Sequence, residues 1–158
     1  MKLILLTLLS FSILFAKVNS GDTLPALALV DQFDNKVKVL EDSTLIISFQ
    51  KSVSSEIQAY LDTKPKDFLA QNRLLYISDM SAAPKFMIKL FGIPKMKKFA
   101  YKVALIYDEK IADMLQREEE KVTIITLRHH TIIKIQFVSP KNLELHLTQK
   151  YPRLIHQD

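Results

Sequence analysis

Apolar and polar positions change their period along this chain, and the changes mark out its elements. Residues 26–30 (ALALV) and 36–40 (KVKVL) predict two short strands around a turn-rich stretch, Asp31 to Asn35. Val37 and Val39 alternate with Lys36 and Lys38, as on a half-buried strand. Residues 44–49 (TLIISF) form an unbroken apolar run rich in β-branched side chains, the pattern of a strand covered on both faces. A helix follows, with Ser54 or Ser55 as its cap and Ile57, Tyr60 and Leu61 on one face. Pro65 opens a second short helix through Phe68 and Leu69, and residues 73–78 (RLLYIS) predict another strand. Pro84 to Phe91 predicts a helix stopped by Gly92, with Ile93-Pro94 extended and exposed beyond it. Lys102 to Tyr107 reads as a strand and Lys110 to Gln116 as a short helix. Val122–Leu127 and Ile132–Val138 pair as a hairpin around Arg128-His129-His130-Thr131. Asn142 to Tyr151 closes the chain as an amphipathic helix with Leu143, Leu145 and Leu147 as its apolar members. Strand–helix–strand units impose parallel central strands and the last hairpin is antiparallel, so the pattern predicts an α/β fold with a mixed central sheet flanked by helices.

The N-terminus follows a different rule. Leu3 to Phe15 is nearly all apolar, with Lys2 before it and Ala16, a small residue, after it. The run falls short of the roughly 20 residues that span a bilayer and matches a cleavable export signal. The expected organisation is a signal peptide, residues 1–16, followed by one domain, residues 17–158. That places the protein in the periplasm or otherwise outside the cytoplasm, with no transmembrane helix after cleavage.

Composition then removes classes of chemistry. The 158 residues are 48% hydrophobic and 25% charged, which suits a globular core. Gly21 and Gly92 are the only glycines, too few for a dinucleotide fingerprint or a phosphate-binding P-loop. The chain has no cysteine, which removes disulfides, thiolate nucleophiles and zinc–thiolate sites. Nucleic acid is a poor partner for an exported protein.

One segment resembles a known superfamily. Gly21-Asp22-Thr23-Leu24-Pro25, then Leu29-Val30-Asp31-Gln32-Phe33-Asp34-Asn35-Lys36-Val37, is similar to the opening of peroxiredoxin and redoxin domains, where a G-d-x-l-P stretch leads into a short hairpin reading l-x-D-x-x-g-x-x-v. The resemblance implies a thioredoxin-like, three-layer α/β fold with an N-terminal β-hairpin, extending over roughly Gly21 to Gln149. In such families the strand corresponding to residues 44–49 delivers the redox cysteine to the start of the next helix. Laid on the thioredoxin pattern, Ser54 falls at the first cysteine position and Ile57 at the second, and Val122, ahead of Thr123, stands where a cis-proline is usual. A serine hydroxyl forms no disulfide and does not enter the cysteine oxidation ladder. The fold implied by the resemblance survives these departures; its thiol chemistry does not.

The remaining candidates are weaker chemistry or surface. Ser52, Ser54 and Ser55 lack a nearby base in sequence and carry no acyl-transfer signature, so they read as capping residues. His129 and His130 are adjacent turn residues that would diverge on a strand rather than share a metal. Met80, Met87 and Met96 are thioether donors of the kind that hold Cu(I), and redoxin relatives include copper-delivery proteins, but their spacing is long and methionine is a common core filler. No metal or cofactor is assigned. Between Asp79 and Asp108 there is no acidic residue, while Lys85, Lys89, Lys95, Lys97, Lys98 and Lys102 are interleaved with large apolar side chains. That mixture fits an anionic membrane surface or an envelope protein. Two functions follow as expectations: a non-catalytic binding or scaffold domain without thiol redox activity, or a cysteine-less redoxin relative that reuses the old cleft as a non-thiol enzyme or ligand site.

Overall fold

The computed structural model describes residues 16–150, so the expected export signal lies outside the described residues except for Ala16. Seven strands form one sheet: β1 Leu29–Asp31, β2 Lys36–Val37, β3 Thr44–Ser48, β4 Leu74–Asp79, β5 Ala104–Ile106, β6 Val122–Arg128 and β7 Thr131–Val138. Their order across the sheet is β2-β1-β5-β4-β3-β6-β7. β3, β4 and β5 run parallel, while β6 pairs with β3 antiparallel and β7 closes the hairpin. β3 is central and all five of its residues are buried, as its unbroken apolar run predicts. The first two strands are shorter than their apolar pattern: only residues 29–31 and 36–37 pair. They still form the antiparallel N-terminal hairpin.

The helices are α1 Lys51–Asp62, α2 Phe68–Gln71, α3 Lys85–Met87, α4 Ile93–Met96, α5 Glu109–Met114 and α6 Leu143–Lys150, with a π-helical turn, Ile88–Gly92, joining α3 to α4. Strand side chains alternate between two cores. Ile46, Tyr76, Leu105 and Ile124 meet α1, α2, α4 and α6 on one face. Leu45, Ile47, Ile77, Ile106 and Ile125 meet α5 and the N-terminal residues Val18 and Leu24 on the other. The result is a three-layer α/β sandwich with unequal covers. No helix among the described residues is long and apolar enough to cross a membrane.

Four local expectations are corrected. Gly92 does not stop the helix: its φ is −66°, and the helical path continues through Pro94 to Met96 instead of becoming extended. Pro94 has no N–H for a carbonyl four residues back, and the wider π-turn immediately before it absorbs that mismatch. Ser54 and Ser55 do not cap α1, which starts earlier, with Gln50 at the cap position and no side-chain cap bond. The Ser55 hydroxyl instead donates back to the Lys51 carbonyl at 3.0 Å. In α6, Leu143 and Leu147 are buried but Leu145 is exposed, because two residues along a helix is nearly the opposite face.

Candidate functional site

Two regions bear on function: the place where redox chemistry would sit in a thioredoxin-like frame, and the lysine-rich segment.

The first lies where β3 passes into α1. Ser54 is one turn inside α1 rather than at its start, and its hydroxyl donates to Ser48 Oγ at 2.8 Å. Ser48 Oγ lies 3.2 Å from the Tyr76 hydroxyl and donates to Ser78 Oγ at 3.4 Å. Ser48, Tyr76 and Ser78 are buried, so these hydroxyls satisfy one another inside the molecule. Neither Ser48 nor Ser78 can serve Ser54 as a general base at neutral pH, and a serine nucleophile needs one. Ile57 and Val122 are fully buried, as is Thr123, whose hydroxyl donates to the Gln116 carbonyl at 3.0 Å. No peptide bond among the described residues is cis, so the Lys121–Val122 bond is trans.

Gln50 borders this region. Its side-chain oxygen accepts the Glu120 N–H at 2.6 Å, tying the loop before β6 to the start of α1. Glu120 adopts φ 54° in that loop. Arg117 lies over the Phe49 ring at 5.3 Å and pairs with Asp113 at 2.9 Å and Asp79 at 3.9 Å. Sequence reasoning missed this clasp because Phe49, Asp79 and Arg117 lie far apart along the chain. The groove beside α1 is small, about 250 Å³, and is lined by Ser52, Val53, Glu56, Glu120, Ser139, Pro140 and Lys141. Glu56, Glu120 and Lys141 supply its charged side chains.

The second region is α3, the π-turn and α4. Ile88 and Met96 point inward and are buried, with Gly92 between them, where an added Cβ would lie 3.7 Å and 3.8 Å from their side chains. Phe86, Leu90 and Phe91 are exposed at 63%, 62% and 64%, and Met87 at 44%. Phe86 and Leu90 are four apart, as are Met87 and Phe91, so they form two adjacent rows on the outer side of the helix. Lys85, Lys89, Lys95, Lys97 and Lys98 are all exposed along the same segment. Among the described residues none of these five has an acidic ion-pair partner. Lys102 departs from the expected group. Its ammonium lies 3.3 Å from the buried Asp31 carboxylate, so its charge is already compensated. Phe33, at the tip of the β1–β2 hairpin and 48% exposed, joins the patch instead: Lys97 Nζ lies 5.9 Å from its ring. Its place was not legible in sequence because β1–β2 and α4 are distant along the chain.

A buried glutamine sets this arrangement. Gln32 Nε2 donates to the carbonyls of Tyr101 at 2.9 Å and Met96 at 3.2 Å, and its Oε1 accepts the Val103 N–H at 2.9 Å. Asp31 beside it holds the hairpin turn by accepting the Phe33 and Asn35 N–H groups at 2.9 and 3.0 Å. Burial alone would raise the Asp31 carboxyl. The Asn35 and Phe33 N–H groups, the Asn35 side chain and Lys102 outweigh it and hold the pKa below 3.8.

Comparison with known proteins supports the frame and nothing finer. No family model and no curated protein matches the sequence. Solved structures do match. A thio-disulfide isomerase from Thermus thermophilus superposes with a TM-score of 0.55 at 11% identity, over 89% of this chain and 99% of that one. A putative thioredoxin from Neisseria meningitidis gives 0.55 at 16% identity, over 89% and 94% of the two chains. A mutant of PrxQ from Xylella fastidiosa gives 0.54 at 13% identity, over 88% and 99%. The layered sheet, the β-hairpin at its N-terminal edge and these superpositions agree: the chain has the thioredoxin-like fold, shared with thiol-disulfide isomerases and peroxiredoxins, in a form that contains no cysteine.

Proposed function

We propose that this chain is an exported, non-catalytic binding domain that uses the thioredoxin-like frame to present the Lys85–Lys98 segment to an anionic envelope partner. Loss of thiol redox activity follows from the absence of cysteine, since each thioredoxin or peroxiredoxin reaction passes through a thiolate. The observation that carries the binding reading is the pairing of four exposed large apolar side chains with five uncompensated lysines on one short helical segment. Exposed apolar side chains grouped in this way mark interaction surfaces rather than ordinary solvated helices. Reuse of the cleft as a non-thiol enzyme finds no support in its geometry, because Ser54 is engaged by hydroxyls and Ile57, Val122 and Thr123 fill the interior.

A photo-reactive phenylalanine analogue at position 91 tests the reading in growing cells. Irradiation should attach the protein to an envelope component, and Lys85, Lys89 and Lys95 changed together to Glu should remove the product. Cross-linking that is unaffected by the charge reversal, or protein recovered unprocessed from the cytosol, would overturn it.

A further inference from the structure

We infer that the anionic partner is a lipid bilayer surface, entered by Phe86, Leu90 and Phe91 from α3 and the π-turn, with Phe33 as a second anchor. The inference rests on the binding reading above and names its partner.

The chemistry of the segment separates lipid from protein. From Lys85 to Phe99 every residue is Lys, Gly, Pro or an apolar side chain. The segment contains no Arg, Tyr, Ser, Thr, Asn, Gln, Asp or Glu. Protein interfaces need directed hydrogen bonds, about one for each 100–200 Å², and they favour Arg and Tyr while depleting Lys. Lysine as a mobile point charge, set around protruding Phe and Leu, suits a fluid layer of phosphate headgroups over hydrocarbon.

The shape agrees. Phe86, Leu90 and Phe91 each leave more than half of their surface open to solvent. The π-turn keeps Ile88, Gly92 and Met96 on the buried side while Phe86 and Leu90 stay outside, so the same turn that accommodates Pro94 fixes which side chains protrude. Gln32 binds the end of α4 to the β1–β2 hairpin, so Phe33 and Lys97 move with the patch as one rigid unit. Two separated anchors fix the orientation of the domain on the surface. Lys102, held by Asp31, takes no part.

The chain has no tryptophan, so Phe91→Trp creates a single, local fluorescent reporter. Its signal is independent of any membrane affinity of residues 1–16. With vesicles of phosphatidylcholine and phosphatidylglycerol in equal parts, its emission should shift to the blue. With phosphatidylcholine alone it should not, and in molar salt the shift should disappear, because exposed charges are screened within a few ångströms there. Reversal of Lys85, Lys89, Lys97 and Lys98 to Glu should weaken partition at least ~100-fold, each cation being worth roughly a factor of five near such a surface. Phe33→Ser should weaken it several-fold in the same assay. The substituted positions are exposed, and an unchanged Tm establishes that each variant is folded. Absence of the blue shift with anionic vesicles would overturn the bilayer inference. If the position-91 cross-linker then captured an acidic envelope protein in a charge-dependent way, the binding reading would stand with a protein partner. If it captured nothing, both would fall.

Discussion

At the scale of single residues, buried Asp31 and Gln32 hold loops in place through their hydrogen bonds. Gln32 is the clearest case. Replacement by Leu keeps most of the volume but leaves the Val103 N–H and the Tyr101 carbonyl without their partner, while the Met96 carbonyl keeps only the Phe99 N–H. Buried groups left unpaired in this way cost on the order of 2–4 kcal/mol together, so Gln32→Leu should lower the denaturation midpoint clearly at unchanged m-value. A neutral result would mean that the clamp is not formed in solution. Asp31 makes a prediction about pH. Its folded pKa lies below 3.8, so its contribution to stability is complete above that value and is lost as pH falls through the lower, folded pKa. Asp31→Asn should remove this acid-side component and flatten the stability curve below about pH 4, measured by urea titration at several pH values. The motif that suggested the fold, with Asp31 in its middle, was readable in sequence. The reason for it was not, because the groups it and Gln32 bind are about seventy positions away or arise only when the hairpin turns.

At the scale of elements, what the sequence disclosed depended on how local each cause was. The residue 44–49 strand and the closing hairpin were legible because burial on two faces and alternation are written into successive residues. The helix around Gly92 was misread because a glycine followed by X-Pro has a strong local meaning that packing overrode. The two readings differ in a measurable sign. At a helix-ending position glycine would hold a positive φ, and alanine would be strained. In the structure φ is −66°, and an added Cβ would meet Ile88 and Met96 at ordinary contact distances of 3.7 and 3.8 Å. Gly92→Ala should therefore stabilise by about 0.5–1 kcal/mol, and a loss of stability would restore the helix-stop reading. The β6–β7 turn shows the reverse situation. His129 and His130 both hold positive φ, 50° and 61°, in a two-residue turn whose twist favours Asn-Gly. His129→Asn with His130→Gly should raise stability by roughly 1 kcal/mol, read as an increase in Tm.

At the scale of the whole molecule, the two faces of the sheet are covered unequally, and that asymmetry makes the N-terminus part of the fold. One face carries α1, α2, α4 and α6, whereas the other relies on α5 and the segment that begins at Val18. Val18 N–H donates to the Met114 carbonyl at 2.9 Å, and its own carbonyl accepts from Gln116 Nε2 at 2.7 Å. Further along, Gly21 donates to Ile132 at 2.7 Å and Ile132 to Asp22 at 2.8 Å, so the segment also pairs with the edge of β7. Ala16 and Lys17, by contrast, are exposed. The expected cleavage point therefore falls one residue ahead of the first docked side chain, where a protease can reach the chain without opening the core. A chain beginning at Lys17 should melt at the same temperature as the protein purified from the envelope, and intact mass should show that natural start. A chain beginning at Thr23 loses the burial of Val18, worth about 1.5–2 kcal/mol, and several hydrogen bonds of roughly 1 kcal/mol each. Its Tm should fall by on the order of 10 °C or more, with the second core and the β7 edge exposed to solvent. Equal melting temperatures for the two chains would show that residues 17–22 only rest on the sheet, and the second face would then need another cover.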